Sequence, residues 1–453
     1  MDVAERFRDL PGLALLESAR PGRKARWSFL SADPVALLTA PSAGRDPFAE
    51  ARRLVARLNP GSTPTAWTDE TTPPFLGGLV GYLAYDLGHA LERLPTIASD
   101  DQALPSLRLG LHDWVIAFDR RDGRAWLGGR ALDGDGRRLG RRLAAVREHL
   151  EHPSDCRPPK TGVQPEPLLF RSSVDRRAYE AGVEAIRSAI ARGDIYQANL
   201  TRRLSTPFSA DPWPLYRALR TGDPALFAAY LDLDVEDPSR GTGRRAIVSA
   251  SPEPFLSVDR SGRVATDPIK GTRQRGANPE EDRILASELL ASAKDRAENV
   301  MIVDVLRNDL GRVCRPGSIR VERLCRLERT AAVQHLVSTV TGRLAPGRDA
   351  FDLLAASFPG GSITGAPKIR AMEILEGLEP VRRGPYTGVA LWLGPDGAMA
   401  SSILIRTLVA DGTQLSLNVG GGITWRSDPV AEWDETEAKA RGPLRAIGGR
   451  EIA

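Results

Sequence analysis

Apolar residues recur along this chain at two spacings. Leu139, Leu143, Val146 and Leu150 step by 4, 3 and 4 residues, and Tyr179, Val183, Ile186 and Ile190 repeat the pattern. Each set forms one apolar stripe on an α-helix. Ser173 or Asp175 caps the second helix and Gly193 ends it. Asn278-Pro279-Glu280-Glu281 opens a further helix with a cap, an N1 proline and first-turn acids. Another spans Asp295–Leu310 and closes at Gly311. Strand-like apolar runs fall at Ile195–Leu204, Thr387–Leu393, Ala400–Val409 and Gln414–Val419. Near the N-terminus, Gly77-Gly78-Leu79-Val80-Gly81-Tyr82 places glycines inside an apolar run, which reads as strands packed at close approach.

Between the first two helices, residues 152–167 hold five prolines in sixteen positions, too many for a helix or a central strand. They divide the chain into an N-terminal subdomain, 1–151, a proline-rich linker, 152–167, and a larger domain, 168–453.

Composition narrows the class. The chain has 453 residues, 42% hydrophobic and 26% charged, as expected of a globular protein with a sizeable core. Its 62 basic and 58 acidic residues are interspersed and aromatics are few, so nucleic-acid binding is not indicated. No apolar stretch approaches the ~20 residues that span a bilayer. No basic, then apolar, leader opens the chain. Three cysteines without CxxC spacing favour a reducing, cytoplasmic setting. Five histidines without zinc spacing leave oxygen donors as the expected ligands of any metal.

Only six of the basic residues are lysine: Lys24, Lys160, Lys270, Lys294, Lys368 and Lys439. Lysine can lose its proton and attack carbon, which arginine cannot do in practice. Lys270 sits in Pro268-Ile269-Lys270-Gly271-Thr272, which reads as a short loop. Acids pair on helix faces: Glu432 with Glu435 and Lys439, and Asp295 with Glu298. Two such pairs suit Mg²⁺, which takes one or two carboxylates and keeps waters or substrate oxygens. Two glycine-rich turns offer N–H groups to an anion: Pro359 to Lys368, with Pro367 near N1 of a helix, and Asn418 to Gly422, ending a strand. Arg406, on the apolar strand Ser401–Leu408, is a buried ion-pair member or a carboxylate clamp. Together these groups point to a small substrate with more than one carboxylate. The G-x-S-x-G hydrolase elbow fails at Thr364, and neither a Rossmann fingerprint nor a Walker A sequence occurs.

In their order, ten segments resemble the chorismate-utilising enzymes: anthranilate synthase component I, aminodeoxychorismate synthase component I, and the isochorismate and salicylate synthases. The segments are Gly193–Gln197, Ser251–Phe255, the Lys270 loop, Lys294–Asn299, Arg307–Leu310, Val333–Leu336, Pro359–Lys368, Ile405–Thr407, the triple glycine, and Glu432 to Lys439. The likeness is strong over about residues 170–442 and weaker over 12–150. It implies an α/β (α+β) sandwich of two large, mostly antiparallel sheets with helices outside.

The resemblance also implies roles. Glu298 and Glu432 become Mg²⁺ ligands, with Asp295 and Glu435 acting through water. The ion would hold the ring carboxylate of chorismate. Arg406 and Tyr386 would hold the pyruvyl carboxylate, helped by backbone N–H groups at Gly420 and Gly421. Gln197, Thr272, His335, Thr364, Gly365 and Lys439 would line the substrate pocket. Glu253 would be the general acid for the departing C4 hydroxyl, a poor leaving group.

Two positions sort the subfamilies. Members that add water carry a lysine base where Gln197 stands, and an amide cannot take a proton from water. Anthranilate synthases carry a small residue where Lys270 stands. Aminodeoxychorismate synthases carry lysine in a loop like this one, where it attacks C2 of chorismate and is then displaced by ammonia at C4. The lysine must be neutral to attack, and an ordinary lysine titrates near ~10.4, so burial and neighbouring charge must act on it. That reading implies 4-aminobenzoate and folate synthesis, with ammonia from a separate glutamine amidotransferase subunit. Anthranilate synthase component I is the alternative. In some relatives the N-terminal region binds tryptophan, and Ser18 with Trp27-Ser28-Phe29 lies where such a pocket would form.

Overall fold

The computed structural model describes residues 2–20, 26–44, 46–58, 72–151, 167–234, 243–330 and 333–452. The expected linker at 152–167 lies outside these residues except for Pro167, and so does Cys156. Among the described residues, two large sheets form the frame, one of twelve strands and one of ten. Among these residues the strands pair antiparallel, apart from the parallel pairing of Gly449–Glu451 with Leu168–Ser172 and a lone parallel bridge between Ser99 and Val381. The expected sandwich with outer helices is the observed fold.

The apolar run Val389–Leu393 shows how the layers are made. Ala390 and Trp392 join the cluster between the sheets, with Phe29, Tyr82, Ile247 and Leu404. Val389, Leu391 and Leu393 turn the other way, into the cluster under the outer helices, with Leu79, Val303 and Phe351. Alternate side chains leave a strand on opposite faces, so a strand covered on both reads as unbroken apolar sequence. The twelve-stranded sheet has its own outer layer, where Leu204, Leu417 and Ala440 pack with Trp213 and Leu444.

The N-terminal residues complete both sheets. Ala14–Glu17 pairs with Phe227–Asp232 in the larger sheet, and Gly78–Leu83 pairs with Val389–Leu393 in the smaller. The close approach expected at the glycines is present: a Cβ on Gly78 would lie 2.1 Å from the Leu393 carbonyl oxygen. Ser18 donates its hydroxyl to the Trp27 carbonyl oxygen at 2.9 Å.

The helices follow their caps. Asp175 accepts from the Ala178 amide to start Arg176–Ala191, and Asn278 caps Pro279–Ala291. The helix expected from Asp295 begins earlier, at Ala293, because Ser292 accepts from the Asp295 amide and acts as its cap.

Three expected elements differ. The run Ala400–Val409 is two strands, Met399–Ile403 in the ten-stranded sheet and Thr407–Asp411 in the twelve-stranded. The chain crosses between sheets at Leu404–Arg406, with Arg406 at φ 50°. Leu404 fills the inter-sheet core, so the crossing is as apolar as the strands it joins. The triple glycine does not end a strand. It lies inside Gln414–Ile423, paired residue by residue with Ala198–Pro207. The Lys270 segment is likewise a strand, Ile269–Gln274, at the edge of the ten-stranded sheet. Among the described residues, no helix is long and apolar enough to cross a membrane.

Candidate active site

The edge strand Ile269–Gln274 pairs with Val333–Arg343, and its register shifts between Lys270 and Thr272. Gly271 is the extra residue, at φ 78°, where glycine is free of Cβ strain. The bulge sets Lys270 opposite Leu336 and Thr272 opposite His335. Leu336 and His335 are consecutive and leave their strand on opposite faces, so Lys270 and Thr272 do too.

The Lys270 side meets the helix Ala293–Gly311, whose Asn299 amide donates to the Leu336 carbonyl at 3.2 Å. The Lys270 ammonium donates to the Ser362 carbonyl oxygen at 3.1 Å. Glu253 is buried beside it and accepts from the Ser362 hydroxyl and the Ile269 amide. Burial raises the Glu253 carboxyl above its ordinary value, against the pull of the Lys270 and Lys439 charges. A carboxyl so placed keeps its proton longer than a surface glutamate.

Gln197 and the glycine strand close the next wall. A Cβ on Gly422 would lie 2.3 Å from Gln197 Nε2 and 3.8 Å from Lys270 Nζ. Only glycine lets these side chains lie against the strand. At Gly421 a Cβ would meet Glu432 Oε2 at 2.9 Å and Glu435 Oε1 at 3.8 Å. Both acids come from the helix Pro429–Ala446, capped by Asp428. Lys439, on the same helix, donates to the Gly420 carbonyl at 2.8 Å and pairs with Glu435 at 2.7 Å.

The acids respond to this crowding. Burial raises Glu298, with the nearby ammonium groups of Lys270 and Lys294 opposing and Asp295 and Glu432 adding to the rise. Burial raises Glu432 as well, against a hydrogen bond from Ser427. Glu435 falls below its ordinary value: burial opposes the change, but Lys439 overrides it. Asp295 accepts from Arg273 at 3.1 Å. Glu298 Oε1 is buried with no hydrogen-bond partner. A buried carboxylate oxygen without a partner is costly and fits a cation. Among the described residues no three acids, histidines or cysteines converge as a ready-made ligand cluster. Two carboxylates, one with an unpartnered oxygen, are donor chemistry that fits a hard cation such as Mg²⁺.

The other side of the edge strand opens on a cleft of about 1420 Å³. His335 and Arg406 line it, with Ile269, Val337, Arg20 and Asp223. His335 Nδ1 lies 2.9 Å from the Thr272 hydroxyl, and burial with the charges of Arg406 and Arg20 lowers its pKa to about 4. The Arg406 guanidinium donates to Asp223 at 3.4 Å and is part-exposed, so it is neither free nor buried here. Thr272, His335 and Arg406 therefore stand apart from Lys270, Glu253, Gln197, Lys439 and the acids.

Three further residues expected in the pocket have other attachments. Tyr386 is buried near Arg383 and Glu379, which, with burial, raise or restrain its hydroxyl, the net effect being upward. The Thr364 hydroxyl donates to Gly360 O at 2.9 Å, closing its own turn. Gly365 pairs with Ala198, and a Cβ there would lie 2.2 Å from the Gln197 carbonyl oxygen. Pro367 is the residue before the helix Lys368–Glu376 and not its first residue. Lys368 is committed to Asp309 at 2.9 Å.

Sequence reasoning overlooked three contributors. Ser362 binds both Lys270 and Glu253. Buried Arg383 donates to Ile363 O at 2.8 Å and Asn199 O at 2.6 Å, and pairs with Glu379 at 2.7 Å, tying that turn to the Gln197 strand. Lys294 lies 3.8 Å from Glu432. The scarcity of lysine was a signal for Lys294, whereas nothing local marked the other two.

Comparison with known proteins gives the family. Residues 14–445 match the family model described as chorismate binding enzyme. Anthranilate synthase component 1 of Mycobacterium tuberculosis is 38% identical over 470 residues, covering 97% of this chain and 88% of the relative. Aminodeoxychorismate synthase component 1 of Klebsiella aerogenes is 41% identical over 374 residues, covering 83% and 78%. The crystal structure of anthranilate synthase component I from Streptococcus pneumoniae superposes with a TM-score of 0.79 at 30% identity, covering 94% of each chain. The protein belongs to the chorismate-binding enzymes, and its substrate is chorismate.

Proposed function

We propose that this chain is component I of an aminodeoxychorismate synthase, joining chorismate and ammonia to give 4-amino-4-deoxychorismate and water. The observation that carries the reading is Lys270 on the helix side of its strand, beside a buried Glu253 whose carboxyl is raised. The neutral Lys270 amine attacks C2, both ring double bonds shift, and the C4–O bond breaks. Glu253 gives its proton to the departing oxygen, which leaves as water. Ammonia then attacks C4, both double bonds shift back, the C2–N bond breaks to restore the lysine, and a proton shed by the added nitrogen returns to Glu253. Gln197 has no basic nitrogen to activate water, which disfavours hydration at C2.

Glu298 and Glu432 would hold Mg²⁺, with Asp295 and Glu435 through water. Bound there, the ion would neutralise the ring carboxylate of the substrate. On the Lys270 side, Lys439 and the Gly420–Gly421 backbone would hold the remainder of the bound substrate, while Arg406, His335 and Thr272, across the strand, would meet chorismate as it enters from the cleft. The name component 1, which these relatives carry, implies a second component, and a glutamine amidotransferase subunit is the proposed ammonia source. The product would feed 4-aminobenzoate and folate synthesis in the cytoplasm.

Anthranilate synthase is the second reading, because relatives of that name match at comparable identity. One assay separates them: purified protein with chorismate, Mg²⁺ and ammonium chloride, with products resolved by mass and fluorescence. Aminodeoxychorismate, converted to 4-aminobenzoate only after a lyase is added, supports the proposal. Fluorescent anthranilate without any lyase overturns it.

A further inference from the structure

Lys294 is the least committed of the three lysines around the acids. The Lys270 ammonium is bound at Ser362 O and that of Lys439 at Glu435 and Gly420 O. Among the described residues, Lys294 makes one long contact, 3.8 Å to Glu432 Oε1, with its own side chain 46% exposed and that of Glu432 5% exposed. Its charge also acts on Glu298 and Glu435.

Its position on the helix Ala293–Gly311 brings no local gain. Lys294 is in the first turn, where the helix dipole disfavours a cation. The long apolar stem lets the ammonium reach the acids from solvent and withdraw again with little rearrangement.

Resting on the metal reading above, we infer that Lys294 is a built-in rival of the divalent ion. Its ammonium offsets the charge of Glu432 and its neighbours until the ion takes that role, and then swings out to solvent. Lys294 is thus a positioning residue that sets apparent metal affinity. The arrangement lets buried Glu432 sit near Glu298 and Glu435 without an ion to neutralise them.

The test uses the full chain, stripped of metal by chelation, and magnesium chloride alone. Calorimetry on Lys294→Gln should show Mg²⁺ bound about tenfold more tightly than by the parent, the scale expected from removing one charge at this range in a partly aqueous setting. Lys294→Arg, which keeps the charge, should stay within about threefold of the parent. In the parent, acylation of Lys294 followed by peptide mass spectrometry should rise with magnesium, at the calorimetric midpoint, while that of Lys368 stays flat. Equal affinity in Lys294→Gln, or weaker binding, overturns the rivalry while leaving the metal reading intact. So does flat acylation of Lys294 in the parent. Absence of Mg²⁺ binding by the parent overturns the metal reading and this inference with it.

Discussion

Lys270 and Thr272 are two residues apart on one strand and serve two environments. On the helix side, Lys270 meets Glu253, Gln197 and the acids, where burial and close charges govern protonation. On the cleft side, Thr272 meets His335, and Arg406 rests on Asp223 beside a wide opening. The first setting suits bond making and proton transfer. The second suits gripping a substrate that must enter and leave. One bulged glycine separates them.

If that division is right, substitutions on the helix side act on kcat and those on the cleft side act on KM. Lys270→Ala should give the largest effect, cutting aminodeoxychorismate formation by about 10³-fold or more, while chorismate still binds in the presence of Mg²⁺. Quenched-flow product analysis with parallel calorimetry would read both. Glu253→Gln should lower kcat by about 10²- to 10⁴-fold.

The same variant carries a pH signature. The folded carboxyl of Glu253 is raised, so its stabilising contribution is full below the unfolded value, ~4.3, and is lost as pH rises through the folded value. Urea melts should find Glu253→Gln more stable than the parent at pH 8, with the gap closing toward pH 4.

On the cleft side, Arg406→Gln should raise KM for chorismate by about 10- to 100-fold, the scale of one charged hydrogen bond, with kcat little changed. An equal fall in kcat would erase the distinction between the two faces. Gly271→Ala attacks the divider itself. Its φ is 78° and the added Cβ would lie 2.9 Å from Asp295 Cβ. It should destabilise the fold by roughly 1–3 kcal/mol and impair kcat and KM together.

The smallest effect concerns His335, lowered to about 4. Its contribution to stability is present above the unfolded value, ~6.5, and declines as pH falls through the folded one. Thermal melts from pH 7 to pH 4 should show a drop that His335→Gln reduces.

The parts legible in the sequence were those fixed by local chemistry. Asp175 and Asn278 announce their helices because a cap acts within three residues. Glu432, Glu435 and Lys439 share a face because helical spacing requires it. The Lys270 strand was read as a loop because proline and glycine flank it. Only pairing with His335 and Leu336, some sixty residues away in sequence, reveals a bulge. The triple glycine was read as a turn for a like reason. Those glycines admit the Gln197 and Glu432 side chains, which arrive from other elements. The crossing at Leu404–Arg406 was hidden by its apolar character. The division of the site into two faces depends on register, which hydrophobic pattern alone does not encode here.

The most direct test is an intact-mass and peptide-mapping measurement on the protein with chorismate and Mg²⁺ but no ammonia. The account predicts an adduct on Lys270, heavier by chorismate less water, that disappears when ammonium is added as aminodeoxychorismate forms. Product formation on adding ammonium, with Lys270 unmodified at every time point sampled, would contradict it.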